Sequence, residues 1–338
     1  MPNWCSSTCC GPTLEKRISR RRWPNSPSGS GALAHDQADA PGGAHRDAHR
    51  DTHGDAQGDA QGDSRGSAAG ARFSDLPARL ISALVLAPIA LACLWFGGIP
   101  WAVLVALAGI GVAAEWVRIV GFRPLSPPGV VLPAVTFVLA LVTAAGFVAP
   151  ALALLVVAAS LMAIVGRPRP PGRLWLASGL FYLGLAAMAA AWIRLGAGGG
   201  RGNLLFVLAI VWASDTGAYL VGRFIGGPKL MPLVSPSKTW AGSIGGIAFA
   251  IAAGLLVARI FAAGASFGGI FISIALSAAS QAGDLLESSV KRRFGVKNSG
   301  TLIPGHGGLL DRLDGVLAAA PVAAILLLAL GPGAVLWR

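Results

Sequence analysis

Asn203 to Gly222 reads NLLFVLAIVWASDTGAYLVG, twenty residues with a single charge, Asp215. As a helix rising about 1.5 Å per residue, such a stretch spans about 30 Å, the thickness of a bilayer's hydrocarbon core. It reads as a membrane-spanning helix. Working outward, eight more apolar runs recur near residues 80–97, 100–117, 129–147, 149–165, 174–193, 243–262, 266–283 and 315–332. The whole chain is 54% hydrophobic and only 12% charged, with mean hydropathy +0.65, whereas soluble domains carry about 25% charged residues. A soluble, disordered or collagen-like chain is excluded. The expectation is an all-α polytopic membrane protein with about nine transmembrane helices. Gly and Ala dominate several spans, as close helix packing in lipid favours, and Pro88 and Pro133 fall inside spans as tolerated kinks.

The chain divides at Asp75. Residues 1–75 are polar and low in complexity, with a loose four-residue repeat from Asp47 to Gly66 and four of the five histidines: His35, His45, His49 and His53. A segment of this composition buries too little apolar surface to offset its ordering entropy, so a disordered low-complexity tail is expected. The first apolar run starts too deep for an ordinary secretory signal peptide. The four cysteines have no metal-ligand spacing, which excludes a disulfide scaffold or a zinc module. Residues 76–338 form the membrane domain.

The net charge of +12 is carried entirely by that domain, with eighteen Lys and Arg against six acids: Glu115, Asp215, Asp284, Glu287, Asp311 and Asp314. With the tail in the cytoplasm and nine crossings, fourteen of the eighteen cations fall on the cytoplasmic side. The positive-inside rule accounts for the charge, and nucleic-acid binding is not needed to explain it. The same orientation puts the two longest polar connections, 223–242 and 284–314, on one cytoplasmic face, where a polar cavity is expected. Acids at membrane depth are costly and mark function, and five of the six cluster there. Glu115, near the end of the second span, is expected as a helix-end anchor or contact outside the site.

The first polar segment places Asp215, Tyr219 and Arg223 on one helical face. Gly226-Gly227-Pro228 then breaks the helix, Ser235-Pro236-Ser237-Lys238-Thr239 reads as a polar turn, and a new helix opens at Trp240. Hydroxyls, a lysine and backbone N–H groups at a helix N-terminus suit a phosphate. No GxxxxGK[ST] motif is present, so this is not a P-loop. In the second segment Asp284, Glu287, Ser288 and Lys291 share one helical face, followed by Arg292, Arg293 and Lys297. A Pro304-Gly305-His306-Gly307-Gly308 loop leads into Asp311-Arg312-Leu313-Asp314, with Asp311 and Asp314 on one side of the last helix. Carboxylates beside lysines and arginines suit a divalent metal facing phosphates, since Mg²⁺ takes one or two carboxylates plus phosphate oxygens. A basic patch for anionic head groups would explain Lys291 to Arg293 but not the acids and glycines woven through them.

Ser288, Lys291-Arg292, Lys297-Asn298, Pro304-Gly305-His306-Gly307-Gly308 and Asp311-Arg312-Leu313-Asp314 together resemble the signature of the phosphatidate cytidylyltransferase family, the CDP-diacylglycerol synthases. DTGAYLVGR and SPSKTWAGSIGG upstream are similar to that family too, and the resemblance covers residues 76–338. Asn298 stands where the family usually has Asp, which keeps an oxygen and loses a charge. The resemblance implies transfer of CMP from CTP to phosphatidic acid in phospholipid biosynthesis, giving CDP-diacylglycerol and pyrophosphate. It further implies Asp284 and Asp311 as Mg²⁺ ligands with Asp314 assisting, and Lys291, Arg292, Lys297 and Arg312 neutralising phosphates. Ser235, Lys238 and Thr239 would hold a phosphate or the nucleotide, with Asp215 in the polar wall. His306 is implied as a phosphate-binding or loop-shaping group, or a general acid. A monovalent cation is suggested by the family and not by any residue. A homo-oligomer in the plasma membrane, with N-terminus and site cytoplasmic, completes the expectation.

Other readings stay open on the residues alone. A CDP-alcohol phosphotransferase would need a DGxxAR run that is absent. A lipid kinase would release a nucleoside diphosphate. An ion-coupled transporter could use Asp215, but it predicts inverted repeats and leaves Asp311 and Asp314 without a role.

Overall fold

In a computed structural model the described residues are 76–164, 172–195, 199–261, 267–300, 302 and 307–337, all in one compact unit spanning residues 60–338. The expected disordered tail, its histidines, and His306 with Pro304 and Gly305 lie outside the described residues.

Among the described residues nine helices follow in order: α1 Leu76–Phe96, α2 Gly98–Ile119, α3 Pro127–Ala144, α4 Val148–Ile164, α5 Gly172–Leu195, α6 Gly200–Phe224, α7 Trp240–Ile260, α8 Phe267–Arg293 and α9 Leu310–Leu330. Each coincides with one expected span. Seven are long and apolar enough to cross a membrane, and the described apolar stretches Leu84–Phe96 and Val148–Ile164 are shorter. Pro88, Pro133 and Pro321 all sit inside helices. The chain is thus a polytopic helical membrane protein.

One connection departs from expectation. Ser235 to Thr239 is a strand, not a turn. Strands β1 Lys229–Met231 and β2 Ser235–Thr239 pair antiparallel, Lys229 opposite Thr239 and Met231 opposite Ser235. The hairpin is closed into α7 by the Trp240 N–H donating to the Pro228 carbonyl at 3.1 Å. The break after α6 is glycine-dependent: Gly226 and Gly227 have φ of 68° and 94°, a region costly for residues with a Cβ.

Helices α6 and α7 pack antiparallel through small residues. A Cβ on Gly245 would lie 2.5 Å from the Val221 side chain, and one on Gly246 would lie 2.8 Å from the Ser214 carbonyl oxygen. In lipid such close approach supplies the van der Waals contact that drives association. The core forms two clusters. One centres on Phe206, Leu204, Ile210 and Leu276, the other on Trp116, Leu132, Leu180 and Leu317. Lys291, Arg292 and Arg293 occupy the last turn of α8, where cations complement the helix dipole.

Candidate active site

Helix α8 has 27 residues, about 40 Å at 1.5 Å per residue, longer than the hydrocarbon core requires. Its C-terminal part therefore carries a polar face, and the i, i+3, i+4, i+7 spacing aligns Asp284, Glu287, Ser288 and Lys291 along it. The Ser288 hydroxyl donates to Asp284 Oδ1 at 3.4 Å. Lys291 Nζ lies 3.3 Å from Glu287 Oε1 and 2.7 Å from Asp311 Oδ1, so one ammonium bridges α8 to the start of α9.

Helix α9 supplies Asp311 and Asp314. Asp311 Oδ2 accepts from the Ser299 backbone N–H at 3.1 Å, and Asp314 Oδ1 accepts from the Gly315 N–H at 2.8 Å. The β-hairpin supplies the third side: Lys238 on β2 forms an ion pair with Asp284. Arg292 Nε reaches the Val234 carbonyl at 3.5 Å, tying the end of α8 to the hairpin. Asp215 on α6 lies within electrostatic reach of Asp314, Asp284 and Lys238, though its own side is exposed.

Five acids and two lysines from α6, α8, α9 and β2 thus gather at one end of the bundle. Tyr182 of α5 joins them with its hydroxyl donating to the Asp314 carbonyl at 3.4 Å, a neighbour the sequence did not indicate. Ser235 is half-buried on the hairpin, at the start of the strand that carries Lys238. Thr239 is buried, and its Oγ1 accepts from the Gly242 N–H at 3.1 Å as the N-cap of α7. Arg292, Lys297, Asn298 and Arg312 are exposed, so the departure from the family pattern at Asn298 falls on a surface position.

Glu115, of the two expectations of a helix-end anchor or a contact, is a contact. It is fully buried at 0% exposure on α2. Its Oε2 accepts from Ser299 Oγ at 3.1 Å and from the Leu310 N–H at 2.7 Å, and its Oε1 accepts from the Leu309 N–H at 3.0 Å. The carboxylate satisfies N–H groups that a helix start otherwise leaves open. Gly300 and Gly308 wrap it, since a Cβ on either would lie 2.7 Å or 3.0 Å from its oxygens.

The donor set admits a divalent cation in one way. Among the described residues no three acids converge closely enough to enclose a metal by themselves. Glu287, however, is buried with Oε1 3.3 Å from Lys291 Nζ and Oε2 without a hydrogen-bond partner among the described residues. Hard oxygen donors with spare capacity fit Mg²⁺ that shares its coordination with phosphate oxygens, and do not fit a standing protein cage.

Helices α8 and α9 touch where this cluster is built. A Cβ on Gly283 would lie 2.6 Å from both the Asp314 carbonyl oxygen and Ala318 Cβ. Gly283→Ala is expected to push α9 away at Asp314, with an overpacking cost of about 1–3 kcal/mol. A lowered thermal midpoint in detergent together with reduced turnover is the expected result; unchanged values would show that the crossing yields freely.

A family model described as the cytidylyltransferase family matches residues 77–330. The phosphatidate cytidylyltransferase of Brucella suis is 41% identical over 258 residues, covering 73% of this chain and 91% of that protein. The phosphatidate cytidylyltransferase of Staphylococcus epidermidis is 44% identical over 126 residues, 37% of this chain and 48% of that protein. That of Haemophilus influenzae is 48% identical over 127 residues, 35% of this chain and 43% of that protein. These relatives give no support to a transporter or a lipid kinase. With its bundle, its signature residues around Asp311 and a match spanning α1 to α9, the chain belongs to the cytidylyltransferase family.

Proposed function

We propose that this protein transfers a cytidylyl group from CTP to phosphatidic acid, forming CDP-diacylglycerol and pyrophosphate. A phosphate oxygen of the lipid attacks the α-phosphorus of CTP. The new P–O bond forms as the bond to the β-phosphate bridging oxygen breaks, and that oxygen leaves with pyrophosphate. The observation that carries this reading is the lysine-bridged carboxylate cluster joining α8, α9 and the hairpin, in a chain similar to phosphatidate cytidylyltransferases over most of its length.

The lipid phosphate is already anionic, so its attack needs no strong base, which leaves His306 a phosphate-binding or loop-shaping role. What the residues must do is bring two polyanions together and offset their charge. Lys291 and Lys238, half-buried at the centre, sit where they meet the triphosphate, and the exposed Arg292, Lys297 and Arg312 rim the approach from water. Ser235, half-buried on the hairpin, would bind a phosphate oxygen. Asp284 and Asp311, with Asp314 assisting, would hold Mg²⁺, which supplies positive charge to the triphosphate and the leaving pyrophosphate. Glu287 would stand behind Lys291 and hold its ammonium toward Asp311.

The lipid arrives from the bilayer side and the nucleotide from water. The positive-inside bias of the connections favours a cytoplasmic site in the plasma membrane, with the N-terminus on the same side. Purified protein given CTP, phosphatidic acid and Mg²⁺ should release one pyrophosphate per CDP-diacylglycerol formed, and neither substrate alone should release any. Release of CDP with a phosphorylated lipid would replace this reading with a kinase.

A further inference from the structure

We infer that Glu115 is a positioning residue for the reaction, holding Asp311 in place through Ser299. The inference rests on the cytidylyltransferase reading of the Asp311 cluster. Ser299 faces two ways: its hydroxyl donates to Glu115 Oε2 at 3.1 Å, and its backbone N–H donates to Asp311 Oδ2 at 3.1 Å. Glu115 also accepts from the Leu309 and Leu310 N–H groups, the start of the helix that carries Asp311. One carboxylate on α2 therefore holds Ser299, in the connection after α8, and Leu309 and Leu310 at the start of α9, and Asp311 follows directly after Leu310 while accepting from the held Ser299 amide. Leu302 and Leu309 of the same connection pack over Gly111, one helical turn before Glu115, where a Cβ would lie 2.9 Å and 2.7 Å from them. Ser299, Leu302, Leu309 and Leu310 are thus held on α2 by polar and apolar contacts together.

The chemistry of the clamp is specific to a carboxylate. All three donors point at its oxygens, and Oε2 takes two of them. A glutamine of the same size presents an NH₂ group to at least one N–H donor, so at least one bond is lost and a donor is left buried. Aspartate keeps the charge and both acceptors but is shorter by one methylene. A shift of about 1 Å in a positioned group can cost about 10²-fold in rate. Glu115→Gln is expected to lower kcat by about 10–10²-fold, with KM for CTP and phosphatidic acid changed less than about 2-fold. Glu115→Asp should recover part of the loss, and Ser299→Ala, which cuts only the Ser299 hydroxyl link, should reproduce part of it.

Hydrogen exchange on the protein without substrates tests the clamp apart from the reaction. In the wild type the Ser299, Leu309 and Leu310 amides should be protected, and Glu115→Gln should speed their exchange by about 10-fold, the factor that the loss of one such hydrogen bond corresponds to. Exchange elsewhere in the bundle should stay unchanged. Faster loop exchange with reduced kcat, unchanged KM and partial recovery in Glu115→Asp supports the inference. Wild-type kcat in Glu115→Gln, unchanged loop exchange, or Glu115→Asp as impaired as Glu115→Ala would overturn it. If Glu115→Ala fails to fold, Ser299→Ala serves as the comparison for Glu115→Asp. Loop exchange responding as expected in a protein that makes no CDP-diacylglycerol would instead remove the functional reading and leave the clamp.

Discussion

Asp311→Ala is expected to lower CDP-diacylglycerol formation by at least about 10²–10³-fold, the range seen when one preorganised charge-stabilising group is removed. Asp311 has two occupied oxygens, one on Lys291 Nζ at 2.7 Å and one on the Ser299 N–H at 3.1 Å. Alanine removes a carboxylate proposed to hold the divalent cation. It also frees the lysine that bridges to α8 and leaves the loop amide without its acceptor. Asp311→Asn separates these effects. It keeps size and an oxygen for Ser299 and loses the charge, so it should be nearly as inactive as alanine while folding normally. Single-turnover product formation, with folding checked by thermal midpoint, measures both. An alanine variant within about 3-fold of wild type would mean that Asp311 has no part in the reaction.

Lys291→Met should produce the second large effect. The lysine side chain is 13% exposed, between Glu287 at 3% and Asp311 at 21%. Methionine fills similar space without charge, and leaves two close carboxylates facing each other with no cation between them. Breaking a buried pair this way costs up to about 3–5 kcal/mol, an upper bound here because Asp311 is partly exposed. Both stability and turnover should fall. Adding Glu287→Gln to Lys291→Met removes the like-charge conflict, so stability should return while activity does not. Recovery of activity in the double variant would show that Lys291 acts only as a structural counter-charge.

The nine spans were legible because lipid imposes a length and an apolar composition on any helix that crosses it. The shared face of Asp284, Glu287 and Lys291 was legible for a similar reason, since helical period alone fixes it. Pairings across the chain were not. Lys238 meets Asp284 across 46 residues, and only the folded hairpin brings them together. The hairpin itself has strands of three and five residues whose pairing depends on α6 and α7. Glu115 lies at a span's end, where local sequence points only to a helix-end anchor or contact. Its partners lie 184 to 195 residues away, beyond any local pattern. Thr239 carries its N-cap role in the sequence itself, because a threonine directly before an apolar helix is a common N-cap.

The central claim is that the acids and lysines shared by α8, α9 and the hairpin carry cytidylyl transfer to a lipid phosphate. Following CTP labelled in its α-phosphate beside CTP labelled in its γ-phosphate tests it most directly, with purified wild type and Asp311→Ala given phosphatidic acid and Mg²⁺. The account predicts α-label in the lipid and γ-label in pyrophosphate, with both lost in Asp311→Ala. γ-Label in the lipid, or undiminished transfer by Asp311→Ala, would contradict it.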